Sequence, residues 1–79
     1  MHLMRAFVLI NVRTGEMKQV IRQLRGVQGV VEANMTFGPY DAIAIIEAED
    51  VNALGTMLST RVQPIPGITQ TLTCLAVDV

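Results

Sequence analysis

Two stretches of this chain are apolar on both faces of any strand they could form. In 6–12, Ala6, Val8, Ile10 and Val12 point one way while Phe7 and Leu9 point the other; in 42–48, Ala42, Ala44 and Ile46 oppose Ile43 and Ile45. An antiparallel strand with one wet face alternates apolar with polar residues. These two do not, so both of their faces must be covered. The chain has 79 residues, enough for a single domain over 1–79, and a domain this short hides only about 60% of the surface its unfolded form exposes. Its composition is 51% apolar and only 4% aromatic, more aliphatic mass than one thin core can hold. The excess belongs on a surface patch. Cys74 is the one cysteine and closes no internal disulfide, and no Cys/His pair has metal-ligand spacing. Association with other copies is the remaining way to stabilise so small a core.

The order of elements says which face is left open. Residues 5–12 read as a strand. Thr14 offers a cap to a helix whose Met17, Val20, Ile21 and Leu24 recur at i, i+3, i+4 and i+7. Gly26 is the predicted stop, in a left-handed conformation. Residues 30–37 alternate, with Val31, Ala33, Met35 and Phe37 against Glu32, Asn34 and Thr36. Gly38-Pro39-Tyr40-Asp41 is a turn by its chemistry, and 42–48 returns to complete a hairpin. Asp50 is predicted to cap a second helix that carries Val51, Leu54 and Leu58 inward, with Gly55 placed there for close packing. Pro64, Pro66 and Gly67 end it, and 68–77 is the last strand. The order βαββαβ predicts an α+β, ferredoxin-like domain with two helices on one face of a four-stranded antiparallel sheet. A dimer through the other face then buries the second apolar side of the two strands.

Several function classes are disfavoured. The cations Arg5, Arg13, Lys18, Arg22, Arg25 and Arg61 are scattered and the net charge is −1, so no dense positive face for direct nucleic acid binding is expected. No run of about 20 apolar residues could cross a membrane. Asn11 and Arg13 interrupt the opening apolar stretch, which argues against a signal peptide and for a cytoplasmic protein. The only histidine, His2, lies at the terminus and is expected to be uninvolved. With no nucleophile beside a base and no paired carboxylates, the chain reads as no enzyme, with no catalytic residues, metal site or cofactor. Cys74 reads as a small core residue. Met4, Met17, Met35 and Met57 read as core or interface filler, and Glu32, Glu47 and Glu49 as solvated surface.

Amino-acid recognition needs an acceptor for the ammonium, donors for the carboxylate and a pocket for the side chain. Asp41 can accept from an ammonium, backbone amides of the Gly38–Tyr40 turn can hold a carboxylate, and Tyr40 can wall the pocket. The chemistry alone leaves a plainer reading open: a hairpin turn in which Asp41 satisfies backbone amides.

From Val27 to Val77 the chain resembles the effector (RAM) domain of the Lrp/AsnC transcriptional regulators. The resemblance rests on Gly29-Val30-Val31-Glu32-Ala33, on Thr36-Phe37-Gly38-Pro39-Tyr40-Asp41 and the Ala/Ile strand after it, and on Asp50-Val51-Asn52-Ala53-Leu54. Ile65-Pro66-Gly67-Ile68 followed by Thr69, Thr71 and Thr73 completes it. It implies a homodimer through the open sheet face and an octamer, a tetramer of dimers, with an amino acid bound between neighbouring dimers. It also implies that Gln63, Thr71 and Thr73 complete such a site from an adjacent subunit. The first strand begins so early that no helix-turn-helix domain is expected, and the chain resembles the stand-alone form of the domain. Such a domain would modulate transcription regulation or amino-acid metabolism, with full-length Lrp/AsnC regulators as co-assembly partners. Pro39 departs from the polar or acidic residues common at that position and removes one N–H. Two rivals stay open: an assembly module indifferent to amino acids, and a small ferredoxin-like dimeric enzyme.

Overall fold

In the computed structural model, which describes residues 3–77, β1 (Met4–Val12), β2 (Val30–Met35), β3 (Ala42–Ala48) and β4 (Ile68–Leu75) form one antiparallel sheet in the order β2-β3-β1-β4. His2 lies outside the described residues. Helices α1 (Met17–Arg25) and α2 (Val51–Met57) complete the βαββαβ order, the expected ferredoxin-like arrangement. Ala6, Val8, Ile10, Ala42, Ala44 and Ile46 are fully buried, packed with Val20, Leu24 and Val62 of the helical layer. Each large aliphatic side chain buried there contributes roughly 1.5–3 kcal/mol.

The other face is different. Paired residues in an antiparallel ladder project to the same side, and Phe7 pairs with Ile45 and Cys74, and Leu9 with Ile43 and Leu72. Phe7 is 38% and Leu72 46% exposed; Leu9, Ile43 and Ile45 are half-buried. An apolar strip therefore runs across three strands with no helix over it. At one end it is bounded by an ion pair in which Arg5 Nη2 lies 2.7 Å from Glu47 Oε2, so Glu47 is partnered where a free solvated residue was expected.

Several local expectations are corrected. Helix α1 starts at Met17 with no side-chain cap; Thr14 sits in a turn closed by the Glu16 amide donating to the Arg13 carbonyl at 3.1 Å. Gly26 is right-handed, at φ −87°, and the left-handed residue is Gly29 at φ +99°. A bulge at Val31 shifts the β2 register between Val30 and Glu32. Val31 is left exposed, and the strand ends at Met35 rather than Phe37. The bulge also puts Met35 across from Ala42, on the helical side but at the rim, where it is 60% exposed.

Asp50 caps α2 as expected, Oδ1 accepting from the Ala53 amide at 2.7 Å. Leu54 is buried and Leu58 packs partly buried against the core, as expected; Val51 is exposed, however, and Met57, Val62 and Ile65 add further inward contacts. Val62 and Ile65 reach the core because α2 runs on into a π-helical turn, Leu58–Val62, in which the Gln63 amide donates to the Leu58 carbonyl at 2.8 Å. Gly55 has open space where a Cβ would stand, so close packing is not its reason. Cys74 is exposed on the open sheet face, not in the core, because strand alternation puts it opposite Phe7.

Candidate functional site

The hairpin joining β2 to β3 is held by three bonds around Asp41. Its amide donates to the Ile10 carbonyl at 2.9 Å, its carbonyl accepts from the Thr36 amide at 3.0 Å, and its Oδ2 accepts from the Val12 amide at 2.8 Å. Thr36 Oγ1 closes the turn by donating to the Tyr40 carbonyl at 2.8 Å. The turn can form because Gly38 takes φ +145°, a region closed to most side chains. A Cβ there would meet nothing within 4 Å, so the space beside Gly38 is open. The amides of Gly38 and Tyr40 take no backbone partner among the described residues, and Pro39 has none to offer. Tyr40 and Asp41 are half-buried, and Phe37 stands fully exposed beside them. The turn thus presents two donors, one carboxylate oxygen left over from the bond to Val12, and an aromatic wall.

Gln63, Thr69 and Thr71 share a hollow of about 230 Å³ with Ile68 and Gln70. It forms where the π-helical turn delivers the chain to β4, and where a bulge between Asn11 and Val12 shifts the β1–β4 register. Thr69 Oγ1 donates to the Asn11 carbonyl at 3.2 Å. Thr71 pairs with Ile10 and is half-buried, whereas Thr73 pairs with Val8 further along and is exposed. The hollow does not include the turn. The two clusters sit at the same end of the sheet on opposite flanks of β1, since Asp41 bonds to Ile10 and Val12 while Thr71 and Ile68 pair with those same residues.

Two features escaped the sequence reading. A hollow of about 570 Å³ lies at the far end of the sheet, between Gly29, Ala53, Thr56, Met57, Thr60 and Arg61; it arises from packing that no local pattern encodes. The other is a groove along α1. Its signal was present in the spacing of Lys18, Arg22 and Arg25 along one side of the helix. Among the described residues no group of three or more His, Cys, Asp or Glu side chains could hold a metal ion. Among those residues no helix is long and apolar enough to cross a membrane.

Comparison with known proteins gives this geometry a context. The family model of the Lrp/AsnC ligand binding domain matches residues 5–79. No curated protein matches the chain. Among solved structures, a Thermus thermophilus protein is 28% identical with a TM-score of 0.90, over 96% of this chain and 95% of that one. E. coli AsnC is 22% identical with a TM-score of 0.90, over 96% of this chain and 52% of its own. A Neisseria meningitidis transcriptional regulator, solved as a complex with L-Met, is 14% identical with a TM-score of 0.84, over 95% and 50%. At those identities the last two share the fold, and the chain spans about half the length of each.

Proposed function

Because the chain belongs to the Lrp/AsnC ligand binding domain family, a regulatory and not an enzymatic family, we propose that it is an amino-acid-responsive assembly domain. In this reading the apolar sheet face, with Phe7, Leu9, Ile43, Ile45 and Leu72, joins two copies. Dimers then associate through their sheet ends into an octamer. An amino acid sits between dimers, its carboxylate on the amides of Gly38 and Tyr40 and its ammonium on the second oxygen of Asp41. Gln63, Thr71 and Thr73 of the adjoining subunit close over it, and Tyr40 walls the side chain. Binding shifts the assembly, and through co-assembly with full-length regulators in the cytoplasm it alters their activity. DNA contact is left to those partners.

The observation that carries this reading is the turn itself: two unbonded amide donors beside a carboxylate with one oxygen to spare, at the edge of open space. The Neisseria regulator bound to L-Met supports an amino acid as the ligand class. One observation favours the rival module that assembles without ligand: Asp41 is already bonded to Val12, which a purely structural turn would also require.

A thermal-shift screen against the common amino acids at millimolar concentration separates the two. Ligand at 100 times its dissociation constant stabilises by about 2.7 kcal/mol. A clear shift from a few amino acids, with light scattering showing oligomers, supports the effector reading. Oligomers that no amino acid stabilises support the ligand-free module, and a stable monomer at micromolar concentration defeats both.

A further inference from the structure

On the helical side of the sheet, α1 and the end of β2 leave between them a groove of about 430 Å³. Its floor is Met17, Ile21 and Met35, and its rim is Lys18, Arg22 and Arg25. The five helical residues fall at i, i+1, i+4, i+5 and i+8, one continuous stripe of α1. Three of the chain's six cations are gathered here, in a molecule whose net charge is −1. None of the three has a carboxylate partner among the described residues, where the ion pairs are Arg5–Glu47 and Arg13–Glu16. Arg25 is fixed in place: Nε donates to the Ala33 carbonyl at 3.0 Å and Nη2 to Asn34 Oδ1 at 3.3 Å. It therefore stands across the outer edge of β2 and blocks strand addition there, while its charge stays uncompensated.

We propose that this groove docks an acidic amphipathic helical segment of another protein, with apolar side chains on Met17, Ile21 and Met35 and carboxylates on Lys18, Arg22 and Arg25. Charge complementarity selects the occupant. Flexible thioethers make a floor that adapts to varied apolar side chains, and a helix laid into a groove is a common way to use one. Nucleic acid fits poorly, because three cations above an apolar floor without an aromatic residue offer neither a backbone track nor a stacking platform. A second copy fits poorly too. Of the described carboxylates, Glu16, Glu47, Asp41 and Asp50 are already bonded, and the remaining Glu32 and Glu49 lie on separate segments. The docking is independent of the amino-acid site, so either can fail without the other.

The test uses the full chain and a fluorescein-labelled twelve-residue helical peptide with leucines on one face and glutamates on the other, read by fluorescence anisotropy. Saturable binding in the micromolar range is expected, weakened about tenfold or more by Lys18→Glu with Arg22→Glu and reduced again by 0.5 M salt. A second variant, Met35→Glu, probes the floor at an exposed strand end and covers the case in which the double variant does not fold. Control peptides carry serine for leucine or lysine for glutamate. No saturation below about 1 mM, equal binding of the serine peptide, unchanged affinity in both folded variants, or equal competition by a 20-base-pair DNA duplex would each overturn the proposal. Retention of any amino-acid thermal shift in the variants shows that the effector site is untouched.

Discussion

Replacing Asp41 separates what the residue does for the fold from what it does for a ligand. Its Oδ2 accepts from the Val12 amide at 2.8 Å across 29 positions of sequence, in a partly buried setting. A hydrogen bond to a charged group contributes about 1.5–3 kcal/mol, and partial exposure places this one at about 1.5–2. Asp41→Ala removes the acceptor and leaves the Val12 amide unpartnered at the end of β1. For a domain of this size each kcal/mol moves the melting midpoint by about 4–8 °C, so the expected fall is about 6–16 °C. Asp41→Asn keeps an acceptor of the same reach. A neutral bond is roughly half as strong as a charge-assisted one, so the loss is about 1 kcal/mol and about 4–8 °C. Circular-dichroism melts at one fixed protein concentration measure both, since association makes the midpoint concentration-dependent. Asp41→Ala melting with the wild type would refute the account of the turn. For the ligand, Asp41→Asn is the informative variant, because it folds yet offers the ammonium no charge. An amino-acid shift that survives Asp41→Asn at full size would remove Asp41 from the ammonium site.

Other consequences are local. At Gly29, φ is +99° and a Cβ would lie 2.7 Å from Met57 Sδ, so Gly29→Ala should cost about 2–3 kcal/mol by strain and clash together; denaturant unfolding with an unchanged midpoint would contradict that packing. Gly55→Ala should go the other way, stabilising by about 0.5–1 kcal/mol, because the added methyl meets nothing within 4 Å; a lower midpoint would mean that Gly55 is needed for something other than its shape. Leu72→Glu puts a charge in the middle of the open apolar strip, and light scattering should then find a smaller species than wild type with the same far-ultraviolet spectrum. If the assembly is unchanged, the strip is not the interface.

The βαββαβ order was legible because strand and helix periods are local and strong. The all-apolar strands announced a sheet with two covered faces, and the i, i+3, i+4, i+7 stripe of α1 announced its buried side. What failed were places where one residue of register decides. The bulge at Val31 is an insertion in the ladder that no periodicity anticipates, so the exposure of Val31 is not legible, while Met35 and Phe37 are exposed because β2 ends at the rim of the sheet. Alternation gives Cys74 a face but not which face the helices cover, so its exposure is not legible in the sequence. Val51 shares the i, i+3, i+7 stripe with Leu54 and Leu58, which do face the core, but it opens the first turn of α2 and is exposed there. The turn residues of the candidate site were legible from Gly38, Pro39 and Asp41 as turn chemistry. The bond from Asp41 to Val12 was not, since it depends on where β1 ends relative to β3. Nor was the meeting of Gln63 with Thr69 and Thr71, which needs both the π-helical turn and the bulge in the β1–β4 pairing.

The distribution of bulk across the sheet bears on how assembly and ligand would be linked. On the helical side, Ala6, Ala33, Ala42 and Ala44 are buried, and their small side chains let the helices sit close over a thin core. On the open side stand Phe7, Leu9, Ile43, Ile45 and Leu72, each larger and each incompletely covered. A chain that functioned as a monomer would gain by exchanging the two sets, since a buried isoleucine contributes far more than a buried alanine. The arrangement makes sense if the larger residues are covered by a second copy. Strand β1 then takes part in both events. Phe7 and Leu9 lie in the proposed interface, and Ile10 and Val12 hold Asp41 through the bonds that set the turn. Whatever orders β1 by association also orders the carboxylate that would receive the ammonium. By linkage the effect runs both ways with the same magnitude. Leu72→Glu should therefore weaken amino-acid binding although Leu72 lies on β4 and in neither the turn nor the hollow, and saturating amino acid should shift the assembly equilibrium of the wild type. Calorimetry on the Leu72→Glu protein tests this directly: undiminished affinity in a dissociated variant would mean that the site is complete within one subunit, and the inter-dimer placement would fall with it.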